Sequence, residues 1–98
     1  MVKVAAVVVT YNRLEKLKTV IDRLEQQTLA PAWIVVVDNA STDGTGDWLG
    51  ELETEAALHV VSMTENLGGA GGFARGMSEG YLLGADHVWI MDDDCYAE

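Results

Sequence analysis

The feature that most constrains the fold is the uninterrupted apolar run at residues 4–9, VAAVVV. A strand in which every side chain is apolar is typical of a parallel sheet that is buried on both faces. Residues 33–37 and the run that begins at His87 have the same character. Residues 58–63 are less apolar, because the polar side chains of His59 and Ser62 interrupt them, and we expect this strand at an edge of the sheet.

Segments with helical periodicity separate the apolar runs. Residues 13–27 carry leucine and isoleucine side chains at the spacing of one helix face. A short helix is expected around Trp48 and Leu49, and a glycine-rich loop that opens at Asn66 is expected to lead into another helix. The order βαβαβαβ predicts an α/β fold in which a right-handed, doubly wound, Rossmann-like parallel sheet of about four strands has helices on both faces.

The third helix has an unusual face, because glycine recurs at every fourth position. The four glycines are Gly72, Gly76, Gly80 and Gly84. Each glycine within a helix costs about 1 kcal/mol relative to alanine, so we expect this backbone to approach the sheet or a neighbouring helix closely. The large aromatic side chains are predicted to lie in the core: Trp33, Trp48, Trp89, Phe73 and Tyr81.

The charge distribution limits the possible partners. A net charge of −10 argues against nucleic acid as a partner. Five of the six basic residues lie within the first 23 positions, and Arg75 is the single base among 14 acids in the remainder. We expect Arg75 either to pair with a carboxylate or to bind an anionic ligand. The chain contains no run of 18 apolar residues, and its one cysteine excludes an internal disulfide.

Three consecutive carboxylates, Asp92, Asp93 and Asp94, follow the last apolar run. Two unit charges about 5 Å apart repel by roughly 3 kcal/mol at an effective dielectric constant near 20. A hard divalent cation relieves this repulsion, and carboxylate oxygens are the ligands that Mg²⁺ and Mn²⁺ prefer. Alternate residues of an extended segment point the same way, so Asp92 and Asp94 could share one ion. A solvated acidic turn is the alternative.

Polar residues follow three of the predicted strands. Residues 10–13 (TYNR), 38–39 (DN) and 92–94 (DDD) occupy these positions. Ligands of open α/β sheets bind outside the carboxyl ends of the strands. A hydroxyl, an aromatic ring, a cation and a metal-binding cluster are together what a nucleoside diphosphate requires. Taken separately, Arg13 could simply begin a helix and Asp38 could cap a turn.

In these segments the sequence resembles the family 2 glycosyltransferases of the GT-A fold. The resemblance rests on residues 7–13 (VVVTYNR), on residues 35–45 (VVVDNASTDGT), and on the aspartate triplet as the DXD motif of that family. It extends over essentially the whole chain. Residues 66–76 (NLGGAGGFARG) look most like the branch that contains galactofuranosyl- and rhamnosyltransferases.

The resemblance implies a role for each matching residue. Thr10, Tyr11 and Arg13 would line the nucleotide pocket, with Arg13 near the diphosphate. Asp38 would accept a hydrogen bond from the N3–H of uracil or thymine in a UDP- or dTDP-sugar, and Asn66 would contact the nucleotide. Three acids complete the implied site: Asp92 and Asp94 as ligands of Mn²⁺ or Mg²⁺, and Asp93 facing the ribose or the donor sugar.

The resemblance also implies an inverting transfer to a glycan or glycolipid acceptor. In the family, the catalytic base and the acceptor pocket lie downstream of the DXD motif. Residues 1–98 are therefore expected to be the nucleotide-sugar-binding part of a longer enzyme, inactive alone and without a catalytic residue of its own. The expected location is cytoplasmic, with the cytoplasmic face of a membrane as an option for the longer protein.

A dinucleotide-binding module is the alternative from another class. Residues 69–74 (GAGGFA) match the loose pattern G-x-G-x-x-[GA], and Asp92 follows about 20 residues later. Against this alternative, the predicted third strand ends near Met63, too far from the first glycine for a tight turn. A single acid on the ribose would also leave two of the three aspartates without a role.

Overall fold

A computed structural model describes residues 3–26, 31–52, 57–66 and 68–92, with the backbone alone at positions 69, 91 and 92. Seven elements alternate along these residues: β1 (Val4–Thr10), α1 (Leu14–Gln26), β2 (Trp33–Asp38), α2 (Thr45–Glu51), β3 (Ala57–Ser62), α3 (Gly68–Leu82) and β4 (His87–Asp92). Within the described ranges, no helix combines the length and the apolar character needed to cross a bilayer.

The four strands form one parallel sheet in the order β3-β2-β1-β4. This confirms the predicted α/β fold and the predicted edge position of β3. The chain proceeds outward from β1 through β2 to β3, and β4 then lies on the other side of β1. The direction of winding therefore reverses between β1 and β4, which is where open α/β sheets bind their ligands.

Helices cover the sheet on two faces, each with its own apolar core. On one face, Ala6 and Val8 of β1 pack with Leu17 of α1 and Leu49 of α2. On the other face, alternate residues of the same strands pack with α3, which contacts β1, β2 and β4. The uninterrupted apolar run of β1 is explained by this arrangement, since both faces of the strand are buried.

The glycine-rich segment is mainly helical, so the predicted loop that opens at Asn66 gives way to the helix earlier than expected. The helix α3 already begins at Gly68. The expected close approach to the sheet is confirmed at three positions. A Cβ atom at Gly72 would lie 2.6 Å from Val9 Cγ1, and one at Gly80 would lie 3.1 Å from Val88 Cγ2. A Cβ at Gly76 would overlap the side chain of Val7.

Gly84 does not belong to this packed face, because α3 ends at Leu82. Its backbone has φ of +101°, the left-handed conformation that glycine adopts without a steric cost. Its N–H donates to the Tyr81 carbonyl at 3.0 Å, so Gly84 terminates the helix. The glycine repeat thus combines three packing positions with one helix terminus.

The helical conformation of the glycines also removes the basis of the dinucleotide alternative. β3 ends at Ser62, six residues before α3 begins, so residues 69–74 do not form a tight turn directly after a strand. Gly72 instead faces Val9 and Asn39 of the protein itself. In a dinucleotide-binding fold, such a glycine lets the backbone approach the pyrophosphate of the ligand. Here Gly72 lets the backbone of α3 approach the sheet.

Two of the aromatic predictions are wrong. Trp89 is 38% exposed and Tyr81 is 56% exposed, whereas Trp33, Trp48 and Phe73 pack against the apolar cores. α3 covers the face of β4 that carries Val88, and Trp89 points to the opposite face, away from α3. Tyr81 follows Gly80, whose backbone touches the sheet, so its own side chain is turned outward.

Arg75 and His59 share one carboxylate on the α3 face of the molecule. Arg75 Nη2 lies 2.8 Å from Glu79 Oε1, and His59 Nε2 lies 3.1 Å from Glu79 Oε2. The paired alternative for Arg75 is therefore confirmed. The contact also ties the edge strand β3 to α3, so His59 has a structural role.

Candidate functional site

The sheet register aligns the carboxyl ends of three adjacent strands. Thr10 of β1 lies opposite Asp38 of β2, and Val9 of β1 lies opposite Asp92 of β4. The Thr10 side chain is 1% exposed and that of Asp38 is 5% exposed. Three of the predicted site positions therefore lie on neighbouring strands, at the point where the direction of winding reverses.

Asp38 caps the turn after β2, which was the alternative to its predicted contact with the nucleotide base. Its Oδ1 accepts a hydrogen bond from the Ser41 N–H at 2.9 Å. The backbone around it continues the sheet pattern, since Met63 N–H donates to the Asp38 carbonyl at 2.9 Å. A carboxylate has about four acceptor positions, so one bond to the turn leaves capacity for a second donor.

Hydrogen bonds join the loop after β1 to the loop after β2. The Asn12 N–H donates to Ser41 Oγ at 2.9 Å, and Asn12 Oδ1 accepts from the Thr42 N–H at 2.7 Å. Asn12 has φ of 50° and Ala40 has φ of 64°, both in the left-handed region that non-glycine residues seldom occupy. The two loops therefore hold each other in conformations that neither would favour alone.

Asp43 caps two helices with one carboxylate. Its Oδ2 accepts from the N–H of Leu14, the first residue of α1, at 3.2 Å. Its Oδ1 accepts from the N–H of Thr45, the first residue of α2, at 3.2 Å, and also from the Thr45 hydroxyl. The Thr45 hydroxyl bond, together with these backbone bonds, lowers the pKa of Asp43 below its ordinary value of 3.8.

Sequence reasoning missed Asn12 and Asp43 as part of the site. A signal for Asp43 was available, because an aspartate side chain in a turn often accepts from the backbone N–H two residues on, as Asp43 does from Thr45. Nothing local indicates that the same carboxylate also reaches Leu14, which is 29 residues away. The partners of Asn12 are equally distant along the chain.

Tyr11 and Arg13 are exposed beside this junction. The Arg13 carbonyl accepts from the Leu17 N–H at 3.0 Å, so Arg13 is the N-cap residue directly before α1, close to the helix-starting role that was its alternative. An open pocket of about 480 Å³ adjoins it. The lining residues are Asn12, Arg13, Leu14, Glu15, Lys16 and Asp43. Among the predicted site residues, this pocket is lined by Arg13 but not by Thr10 or Asp38.

Asn66 and Asn39 fix the start of α3. Asn66 Oδ1 accepts from the Gly68 N–H at 2.8 Å, and Asn39 Nδ2 donates to the Gly68 carbonyl at 3.1 Å. Asn39 directly follows β2 and is 2% exposed. Its Oδ1 is buried and has no hydrogen-bond partner within the described part of the chain. These bonds hold Asn66 near the end of β2.

The predicted metal ligands are only partly covered by the described residues. The backbone of Asp92 ends β4 beside Val9, whereas Asp93 and Asp94 lie outside the described ranges. Elsewhere in the described residues, no three His, Cys, Asp or Glu side chains are grouped closely enough to hold a metal ion. The chemistry of the triplet, three carboxylates at a strand end, fits a hard divalent cation.

Residues 5–98 match the sequence profile of Glycosyl transferase family 2. The chain is 45% identical over 98 residues to galactofuranosyltransferase GlfT1 of Mycobacterium tuberculosis. This alignment covers 97% of the chain and 31% of GlfT1. It is 38% identical over 93 residues to the undecaprenyl-phosphate mannosyltransferase of Micrococcus luteus, covering 94% of the chain and 38% of that protein. The chain therefore spans about a third of the length of these relatives.

Two of the solved structures with the same fold contain a bound nucleotide or nucleotide sugar. One is the mannosyltransferase PcManGT from Pyrobaculum calidifontis in complex with GDP-Man and Mn²⁺. It aligns with a TM-score of 0.82 and 30% identity, and the alignment covers 96% of the chain and 28% of the PcManGT chain. TarS 1-349 of S. aureus, in complex with UDP, aligns with a TM-score of 0.78 and 26% identity over the same shares of the two chains.

Proposed function

The chain belongs to Glycosyl transferase family 2, and from this membership we propose that residues 1–98 form the nucleotide-sugar-binding part of an inverting glycosyltransferase. The donor would be a UDP- or dTDP-sugar, and the acceptor a glycan or glycolipid. The relatives are about three times as long as this chain, which covers 31% of GlfT1. The acceptor pocket and the catalytic base would belong to the longer protein.

One observation carries the proposal: Thr10, Asp38 and Asp92 end three adjacent parallel strands where the direction of winding reverses. A nucleotide at this edge would have the Asp38 carboxylate for its base and the polar residues after β1 for its ribose and diphosphate. Tyr11 is 44% exposed, and its ring offers a surface for stacking. Asn66 would approach from the start of α3.

A divalent cation is part of the proposal. Asp92 and Asp94 would hold Mn²⁺ or Mg²⁺, and Asp93 would face the ribose or the donor sugar. When bound, the ion would act as a Lewis acid and stabilise the charge on the departing nucleoside diphosphate. Supporting this, a structural neighbour of 30% identity is a complex with Mn²⁺ and a nucleotide sugar.

Exposed apolar side chains on β4 support a longer domain. Trp89 is 38% exposed on the face that points away from α3. Ile90 is 47% exposed, although it lies on the same face as Val88, which packs against the core beneath α3. Both sides of this strand thus present apolar surface of the kind that further polypeptide would cover.

The proposal is tested by titrating the chain with UDP, dTDP and NAD⁺, each with and without Mn²⁺, in a calorimeter. We expect UDP or dTDP to bind only with the metal, and Asp92→Ala or Asp94→Ala to abolish that binding. Asp22→Ala, an exposed acid on α1, is the matched control and should bind as the unaltered chain does. Metal-independent binding, or a preference for NAD⁺, would contradict the proposal.

A further inference from the structure

The two loops that carry Tyr11, Arg13 and Asp38 are joined by a set of hydrogen bonds, here called the loop clamp. It comprises the bonds of Asn12 and Asp43 that join residues 12–14 to residues 41–43, together with the bond from the Thr45 N–H to Asp43. We propose that Asn12 and Asp43 are positioning residues for the nucleotide, because they fix the loop after β1 against the loop after β2 before the donor arrives. This inference rests on the proposed function.

Asn12 contributes a two-way connection to the clamp. Its backbone N–H donates to Ser41 Oγ at 2.9 Å, and its side-chain Oδ1 accepts from the Thr42 N–H at 2.7 Å. Asn12 lies directly between Tyr11 and Arg13, so any movement of this residue moves both of them. Ser41 in turn donates its N–H to Asp38 Oδ1 at 2.9 Å. The clamp therefore runs without interruption from Asn12 to Asp38.

Asp43 contributes the second connection by joining the starts of α1 and α2. Its two oxygens accept from Leu14 and Thr45, which are the first residues of those helices. A negative charge is favourable at a helix N-terminus, and here one carboxylate serves two of them. The position of α1, and with it the position of Arg13, is thereby set relative to the loop after β2.

The polar atoms of the clamp are directed at the protein. Asn12 Oδ1 and both Asp43 oxygens accept hydrogen bonds from backbone N–H groups. Their expected effect on the nucleotide is therefore indirect, through the placement of their neighbours. A pocket that is ordered in advance binds more tightly, because the loops do not lose conformational entropy on binding.

Substitutions at Asn12 separate this effect from a loss of fold. Asn12→Gly removes the Oδ1 acceptor but suits the left-handed backbone, since glycine adopts positive φ readily. Asn12→Asp keeps an acceptor oxygen for the Thr42 N–H. Loss of preordering equivalent to one or two hydrogen bonds corresponds to about a five- to twentyfold loss of affinity. We expect this loss for Asn12→Gly and a smaller loss for Asn12→Asp, which keeps the acceptor oxygen but adds a negative charge beside Arg13.

The test measures UDP affinity in the presence of Mn²⁺ by calorimetry, and amide hydrogen exchange by NMR, on the unaltered 98-residue chain and both variants. We expect Asn12→Gly to weaken UDP binding and to accelerate exchange at Thr42, with unchanged exchange in β1 and β2. Ser41→Ala removes the other bond of Asn12 and should weaken binding in the same direction.

The outcomes distinguish this inference from the proposed function. If the unaltered chain binds UDP and Asn12→Gly binds it equally well, the positioning role is wrong and the proposed function stands. If Asn12→Gly weakens binding and exchange in β1 and β2 also accelerates, the effect is a general loss of fold and the positioning role is likewise overturned. If the unaltered chain does not bind UDP, the proposed function fails, and the positioning role fails with it.

Discussion

Replacing Gly76 with alanine tests how tightly α3 packs on the sheet. A Cβ at this position would overlap Val7 and lie 3.1 Å from Val37 Cγ2. Both valines are fully buried, with 0% exposure, and lie in the core beneath α3. A valine side chain has little rotamer freedom and cannot turn away from the new methyl group. The helix itself would therefore have to move outward.

Two opposing effects set the magnitude. Overpacking of a well-packed core costs typically 1–3 kcal/mol, and the overlap with Val7 favours the upper end of that range, about 3 kcal/mol. Alanine in place of glycine within a helix gains about 1 kcal/mol. The free energy of unfolding of Gly76→Ala should thus fall by about 2 kcal/mol.

Gly50→Ala is the matched control, because it makes the same substitution within α2. No atom outside the immediate neighbours lies within 4 Å of a Cβ at Gly50. The propensity gain should then appear alone, as a rise of about 0.5–1 kcal/mol in the free energy of unfolding. Urea denaturation of the two variants and the unaltered chain measures both effects. If Gly76→Ala proves as stable as Gly50→Ala, the close packing of α3 is wrong.

Three further substitutions probe other parts of the structure by the same urea denaturation. Leu17→Ala should lower the free energy of unfolding by about 2–5 kcal/mol, because Leu17 is fully buried between α1 and the sheet; a smaller loss would contradict that packing. Glu79→Gln should cost no more than about 1 kcal/mol, because its partner Arg75 is 53% exposed; a larger cost would mean a stronger tie between α3 and β3. Asp43→Asn should destabilise the chain at neutral pH. Folding lowers the pKa of Asp43 below 3.8, so the stabilisation by its carboxylate is present above pH 3.8 and is lost as the pH falls through the folded pKa. The difference in free energy of unfolding between the unaltered chain and Asp43→Asn should therefore shrink at low pH. A difference that stays constant with pH would refute the capping role.

The order of the elements could be predicted from sequence, because the fold is built from strands buried on both faces. The apolar run of β1 requires helices above and below it, and the helical spacing of the leucines in α1 supplies one of them. His59 correctly indicated the edge strand, since its side chain reaches Glu79 at the border of α3. These signals are local, and each has one simple structural solution.

The errors arise where the outcome depends on distant parts of the chain. Trp89 has the large apolar side chain typical of a core residue, but its exposure depends on whether another element covers its face of β4. The glycines of α3 resemble a loop in sequence, and only the valines of β1 and β2 beneath them explain why a helix tolerates them. The bonds of Asn12 and Asp43 join residues 29 or 30 positions apart, which no local pattern specifies.

The charge distribution gives the proposed metal a physical reason. A nucleoside diphosphate is an anion, and the chain carries a net charge of −10. The basic residues are concentrated at the start of the chain, and Arg75 on α3 is already paired with Glu79. Asp43 places a further negative charge at the starts of α1 and α2, where the helix dipoles would otherwise favour an anionic ligand. Three more carboxylates, Asp92, Asp93 and Asp94, follow one another in the sequence where β4 ends. In the proposed site, a dication bound by these carboxylates would offset their mutual repulsion and would present positive charge to the diphosphate of the donor.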